Sequence, residues 1–364
     1  MKARAAVFLG VGRPFEVDEI DVDEPGGHGV VVAIKAVGIC GTDLHSIRGD
    51  WTRPTPMVLG HEGAGVVEAV GAGVTRVAPG DEVVLSWAAS CGECADCWRG
   101  RPAACTRLHA ALGAGTLVGG ETGMSWRGQR LYRGTATGAL TERLVVDEGV
   151  VVPTGGGLPF EEAALLGCAA MTGVGAVLFA GGVEPGMTVL VIGAGGVGQF
   201  CVQGARIAGA QSILCIDPVA ARRELALRVG ATDAGAPEEL ETLVERAAPG
   251  GTDRTFDSVG APETTALALA STRSAGTAVI VGLPGAGARL DLDPAEFIRR
   301  EKHLTGSMYG SQDPRVGIPV LIEHARAGRL DLAAMVGRTY PLERIDDAIA
   351  DSLQGLPGRT IVTI

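Results

Sequence analysis

The residues best equipped for chemistry lie between Cys40 and Glu62, in the stretch CGTDLHSIRGDWTRPTPMVLGHE. A thiol, a hydroxyl, a carboxylate and an imidazole crowd into Cys40, Thr42, Asp43 and His45. A second imidazole and carboxylate, His61 and Glu62, follow a turn-rich linker. A catalytic zinc takes three protein ligands, thiolate and imidazole among them, and keeps a fourth position for water or substrate. Cys40 and His61 offer two such donors. The candidate third is Cys168, in ALLGCAAMTGVGAVL. Taken alone it reads more readily as a small core hydrophobe, and only the motifs around it reverse that reading.

Four more cysteines, Cys91, Cys94, Cys97 and Cys105, form CGECADCWRGRPAAC. Repeated C-x-x-C turns aim thiolates at one centre, Gly92 and Gly100 relax the backbone, and four thiolates make a closed structural zinc site. An iron-sulfur cluster is the rival reading, weakened by the lack of a second cysteine set. Disulfides are disfavoured in a large intracellular chain. His109 follows Cys105 closely but is read as a solvated loop residue.

After Met187 the chain runs TVLVIGAGGVGQFCVQGARIAGAQSILCIDP. A buried-strand run leads into Gly193, Gly195, Gly196, Val197 and Gly198, a helix follows, and a second strand ends in Asp217. Glycines at this junction let a pyrophosphate approach the unpaired N–H groups of a helix N-terminus. Asp217 would accept hydrogen bonds from the adenosine ribose and repel a 2′-phosphate, so NAD is expected rather than NADP. Further strand and helix alternation through RTFDSVG and TAVIVGLPG predicts a doubly wound parallel sheet. Val281 and Gly282 stand at its cofactor edge. Cys201, Cys215, His303 and His324 are read as core residues.

These elements need a frame. At 364 residues the chain exceeds one typical core, and 46% hydrophobic with 20% charged residues describes a globular protein. A net charge of -11 with no basic run argues against nucleic acid or anionic membrane as partner. The N-terminus lacks a signal-peptide pattern. No apolar run is expected to reach the ~18 residues of a membrane span, which suggests a cytoplasmic protein. VVVAIKAV from Val30 and GAGVVEAVGAGV after His61 read as strands of a mostly β first half, barrel-like or sandwich-like from Val30 to about Val152. The Gly-rich segment from Thr106 to Gly138 reads as a long loop forming a lobe over a cleft or a subunit contact.

In order, CGTDLH, GHEGAGVV, the four-cysteine loop, GCAAMTG, GAGGVG with Asp217, and the closing GRTIVTI resemble the zinc-dependent medium-chain alcohol dehydrogenases over nearly the whole chain. The resemblance implies an α/β plus β architecture: a GroES-like catalytic domain built from residues 1–168 and 309–364, with a doubly wound Rossmann NAD-binding domain, 169–308, inserted between them. It implies two zinc ions per subunit. Cys40, His61 and Cys168 would bind the catalytic one, with Glu62 as an occasional ligand, and Asp43 would orient His61 through its other nitrogen. Thr42 and His45 fill the positions that carry the alcohol proton outward. Family position places Thr172 near the nicotinamide, Arg359 near the pyrophosphate and Arg222 near the adenosine ribose, and sets Trp51 and Trp87 in the substrate pocket. Gly41 departs from the family, many members of which carry a basic phosphate contact there. The length between Cys105 and Asp147 is similar to that of the animal-type and glutathione-dependent formaldehyde dehydrogenase classes, which implies a homodimer.

The activity expected is hydride transfer between NAD and a primary alcohol or aldehyde, aromatic and biosynthetic alcohols included. A thiol-dependent formaldehyde dehydrogenase, acting on an S-hydroxymethyl thiol, is the alternative in the same fold. A non-catalytic NAD-binding zinc protein is the alternative of another class.

Overall fold

The computed structural model describes residues 1–88 and 90–364. Its central strand is Gly29–Gly38, whose Val30, Val31, Val32, Ile34, Ala36 and Val37 are all buried. Apolar side chains on both faces mark a strand covered from both sides, so the run is continuous and not alternating. Glu62–Val70 pairs antiparallel along one edge of it; Arg143–Asp147 and the chain's closing strand Arg359–Thr363 share the other. This seven-stranded sheet therefore joins the first ligand stretch to the last residues of the chain. A second sheet of six strands has Lys2–Phe8 and Glu16–Val22 at its centre, so the β region begins well before Val30.

The third sheet is parallel throughout, in the order Asp233–Gly235, Ser212–Ile216, Thr188–Ile192, Thr252–Asp257, Thr272–Ile280, His303–Gly306. The strand order reverses at Thr188–Ile192 and Thr252–Asp257, and the crevice past their carboxyl ends is where open α/β sheets bind ligands. Ser258 holds that crevice together, its hydroxyl donating to the carbonyls of Ile192 (3.1 Å) and Gly193 (2.8 Å).

Three expectations are corrected. Phe160–Ala180 forms one helical stretch long and apolar enough to span a membrane; glycines and Thr172 had disguised it as a broken run. It is a core element, with 83% of its apolar window buried inside the protein. The segment after Thr106 is not a loop: it holds the helix Thr106–Ala114 and short strands at Met124–Trp126, Gln129–Arg130 and Tyr132–Arg133, all but the helix added to the second sheet. Arg133 anchors this lobe, fully buried and donating to the carbonyls of Thr122, Thr137 and Val145. Burial pulls its guanidinium down to about 9, but three carbonyl acceptors favour the charged form, and we take it as charged. Finally, His303 is exposed on an edge strand and His324 is half-buried, accepting at Nδ1 from Arg329 Nε at 2.9 Å. Neither is core, whereas Cys201 and Cys215 are fully buried.

Candidate active site and metal centres

Asp43 organises the opening stretch. It sits in the first turn of the helix Gly41–Arg48, fully enclosed, and its Oδ2 accepts from the backbone N–H of Cys40 (3.0 Å) while Oδ1 accepts from that of Gly60 (3.1 Å). One carboxylate thus fixes the residue before the helix to the residue before His61. Gly60 turns the chain at φ +86°, where any side chain would also strike Leu140 and Val37. His61 Nδ1 lies 3.4 Å from Asp43 Oδ1, an ion-pair distance but too long for a well-formed hydrogen bond.

Cys168 arrives from the Phe160–Ala180 helix, in a widened π turn at Leu166–Ala170. Such bulges turn one side chain out of helical register and recur at functional sites. The turn is held from outside by the Tyr309 hydroxyl, which donates to the Gly167 carbonyl at 2.6 Å. The ligand atoms of Cys40, His61, Glu62 and Cys168 all lie within 4.8 Å of one another, and all four residues are buried. Two thiols, an imidazole and a carboxylate fit the donor set of a catalytic zinc.

The electrostatics agree with cation binding. The contact with Cys168, helped by Arg359 and His61 and opposed by burial, holds the Cys40 thiol well below its usual range. The same contact, and then burial, push Cys168 well above it. Burial raises Glu62 to about 7 against the pull of Arg359. Arg359 grips Glu62 through Nε (2.9 Å) and Nη2 (2.6 Å), and Nη2 lies 3.7 Å from Cys40 Sγ. Its Nη1 side faces the Gly-rich turn, 3.0 Å from where a Cβ on Gly196 would stand. Arg359 therefore reaches the buried four-residue cluster and the Gly-rich turn together.

The second cysteine cluster is local. Cys91, Cys94, Cys97 and Cys105 converge within 4.8 Å. Sγ of Cys97 lies 3.5 Å from that of Cys94 and 3.9 Å from that of Cys91. Four thiolates about 2.3 Å from one zinc would stand roughly 3.8 Å apart, so the loop already has the spacing of a closed tetrahedral site. The backbone N–H of Cys97 holds Cys94 down at about 6, whereas burial and the Cys94 thiol push Cys97 to about 12.

One cavity of about 1700 Å³ runs from the buried cluster to the Gly-rich turn. Cys40, Thr42, His45, His61, Trp51, Trp87, Cys168 and Thr172 line it. So do Gly193, Gly195, Gly196, Val197, Asp217, Arg222, Val281, Gly282 and Arg359. Gly198 does not line it; it packs against the carbonyl of Gly193, where a side chain has no room. The Asp217 carboxylate accepts from the backbone N–H groups of Ala194 and Val219, each at 2.8 Å, and lies 3.5 Å from Arg222 Nη1. His45 pairs with Asp50 through Nδ1 at 2.7 Å and stacks on Trp51 with ring centroids 4.6 Å apart. Trp87 meets Tyr309 edge-on at 4.8 Å.

Tyr309 and Asp50 were missed by sequence reasoning. Asp50 follows Gly49 within the opening stretch and could have been paired with His45 by proximity. Tyr309, at φ +53° in SMYGS, carries no local signal for its place over Gly167 and Trp87.

With this geometry in view, comparison with known proteins decides the family. The Alcohol dehydrogenase GroES-like domain family matches residues 26–156, and the Zinc-binding dehydrogenase family matches residues 196–323. An S-(hydroxymethyl)glutathione dehydrogenase of Escherichia coli O1:K1 is 37% identical over 368 residues, covering 100% of both chains. The chain belongs to the zinc-dependent medium-chain alcohol dehydrogenases. Among solved structures, an alcohol dehydrogenase zinc-binding domain protein from Burkholderia ambifaria superposes with TM-score 0.95 at 34% identity, covering 100% of this chain and 99% of the other. Benzyl alcohol dehydrogenase from Acinetobacter calcoaceticus gives 0.94 at 30% identity, with the same coverage. The GroES-like plus Rossmann architecture, the NAD-dependent dehydrogenase activity and the use of zinc follow with the family.

Proposed function

We propose that this alcohol dehydrogenase oxidises primary alcohols, or reduces their aldehydes, with Cys40, His61 and Cys168 holding a catalytic zinc, Glu62 beside it, and Cys91, Cys94, Cys97 and Cys105 holding a structural one. The observation that carries the reading is the buried thiol, imidazole and carboxylate cluster opening onto the same cavity as the Gly-rich turn. When bound, zinc supplies Lewis acidity at the alcohol oxygen and NAD supplies the hydride acceptor. The chain does the rest. Asp43 fixes the backbone on either side of the ligands and stands behind His61. Thr42 accepts the alcohol proton at its hydroxyl and passes it toward His45, whose Nδ1 is held by Asp50 and whose Nε2 has no hydrogen-bond partner among the described residues. Asp217 is set to receive the adenosine ribose beside Arg222, Arg359 to meet the pyrophosphate, and Thr172, Val281 and Gly282 to flank the nicotinamide.

Trp51 and Trp87 would narrow the substrate end to a flat slot, which favours an aromatic alcohol, as the name of the Acinetobacter structure says of that protein. The second reading, an S-hydroxymethyl thiol as substrate, draws on the name of the Escherichia coli relative. We further propose a cytoplasmic homodimer, and a division into a GroES-like part of residues 1–168 and 309–364 around a Rossmann part of 169–308. The division at 168 falls inside the Phe160–Ala180 helix, which would then serve both parts.

The test is metal content per chain together with an NADH-absorbance screen over aliphatic, aromatic and thiol-adduct substrates. Two zinc ions with turnover are expected. A folded, zinc-loaded protein that never changes NADH absorbance would sink the proposal, and formaldehyde oxidation that needs no added thiol would sink the second reading.

A further inference from the structure

The chain is strongly acidic, yet its main cavity is not. The carboxylates lining the cavity are Asp217 and Asp351, and both are already matched, by Arg222 at 3.5 Å and Arg338 at 2.8 Å. Arg48, Arg53 and Arg101 also line it, and none has a carboxylate partner among the described residues. Arg53 is the one held in place. Its Nη1 donates to the Leu112 carbonyl at 2.7 Å, and its guanidinium lies 5.3 Å from the Trp51 ring centroid, with Trp51 in turn stacked on His45. Leu112 belongs to the Thr106–Ala114 helix, so Arg53 bridges the opening stretch to the lobe across the cavity. Only Nη1 has a protein hydrogen-bond partner among the described residues, and the side chain lines the cavity. Burial already weighs against its charge, and an anion from outside would relieve that cost through a charge-assisted pair.

We propose that Arg53, supported by Arg101, is a specificity-determining residue that selects alcohols or aldehydes bearing an anionic group, such as a carboxylate, at the end remote from the reacting carbon. The inference rests on the dehydrogenase reading and adds the charge of the substrate to it. The anchoring supplies the discrimination: a guanidinium fixed on a carbonyl and an indole loses less freedom on pairing than a free surface side chain.

The test compares matched pairs, 4-(hydroxymethyl)benzoate with 4-(hydroxymethyl)benzamide and 6-hydroxyhexanoate with its amide. In the unaltered enzyme kcat/KM should favour the carboxylate of at least one pair by about tenfold or more, chiefly through KM. In R53Q the ratio should fall toward one, while R53K, which keeps the charge but not the anchored planar fork, should retain only part of it. Because the ratio is taken within one preparation, partial loss of folded enzyme cancels. Equal or reversed preference in the unaltered enzyme overturns the inference, as does a preference that survives R53Q, or oxidation of neutral alcohols alone. Failure to oxidise any alcohol would instead overturn the reading on which it rests.

Discussion

The two cysteine clusters of this chain are built by opposite means. Cys91, Cys94, Cys97 and Cys105 come from one short loop, three of them half-exposed, and they present four like donors. Cys40, the adjacent His61 and Glu62, and Cys168 come from three separate segments, are all buried, and mix donor types around an arginine. A loop of four thiolates can close on a metal without the rest of the fold, and once closed it offers no open position. The buried cluster exists only when a helix start, a strand and a π turn are in register. That dependence lets it face a cavity, and makes it the part of the molecule where small changes matter most.

The sharpest way to break the comparison is to remove one cysteine from each cluster. Cys168→Ala should lower kcat by roughly 10³-fold or more, since the Lewis-acid contribution is worth several kcal/mol. Metal content should fall from two ions to one per chain with little change in thermal midpoint. Cys94→Ser should do the converse: its main effect should be a midpoint lowered by on the order of 5 °C or more, since a closed site contributes to folding. Elemental analysis, kinetics and thermal melts on the same samples separate the two. A Cys94→Ser protein that keeps its midpoint but loses turnover would show the clusters are not functionally distinct.

A finer cut leaves every ligand in place. Asp43→Asn keeps the shape but removes the charge 3.4 Å from His61 Nδ1 and turns one of the two oxygens that accept from the Cys40 and Gly60 N–H groups into a donor. Carboxylates behind metal-bound imidazoles are typically worth 10–100-fold in affinity or activity. Titration with a competing chelator should show the buried metal released at ~10–100-fold lower chelator while the four-cysteine metal holds. Equal release from both clusters would place the role of Asp43 in folding alone.

The contrast also explains what the sequence could disclose. The four-cysteine loop was legible because its geometry is local: spacing alone brings the sulfurs together. The Gly-rich turn was legible for the same reason, since Thr188 to Asp217 is one strand-turn-helix-strand unit. Cys40 and His61 were legible from their donor chemistry, but Cys168 was read only through the ordered family motifs, because nothing near it in the chain distinguishes it from Cys201, which is core. Pairing of Arg359–Thr363 with Gly29–Gly38 brings Arg359 to Glu62, 297 residues away in sequence. The family resemblance pointed Arg359 at the pyrophosphate, and no local pattern announced its grip on the cluster. The Phe160–Ala180 helix was missed as a continuous element because its glycines serve packing: Gly173 leaves no room for a side chain against Val197 and Phe200.

The smallest predicted effect adds a group to the buried cluster's own segment. Gly41 begins the helix Gly41–Arg48, lines the cavity, is exposed, and, outside its own chain neighbours and helix backbone, has no atom of the described residues within 4 Å of where a Cβ would stand. Its φ is not in the left-handed range, so an arginine can be built there without backbone strain. Gly41→Arg would place a basic side chain directly after Cys40. A guanidinium near the mouth of the Gly-rich turn should lower KM for NAD by about threefold, less than a fully buried pair because salt screens it. Zinc content should stay at two ions per chain, and the gain should shrink between about 0.05 and 0.5 M salt as screening shortens. An unchanged KM would mean that Arg359 alone neutralises the pyrophosphate, and that this arginine, already paired with Glu62, is shared between the cofactor and the metal cluster.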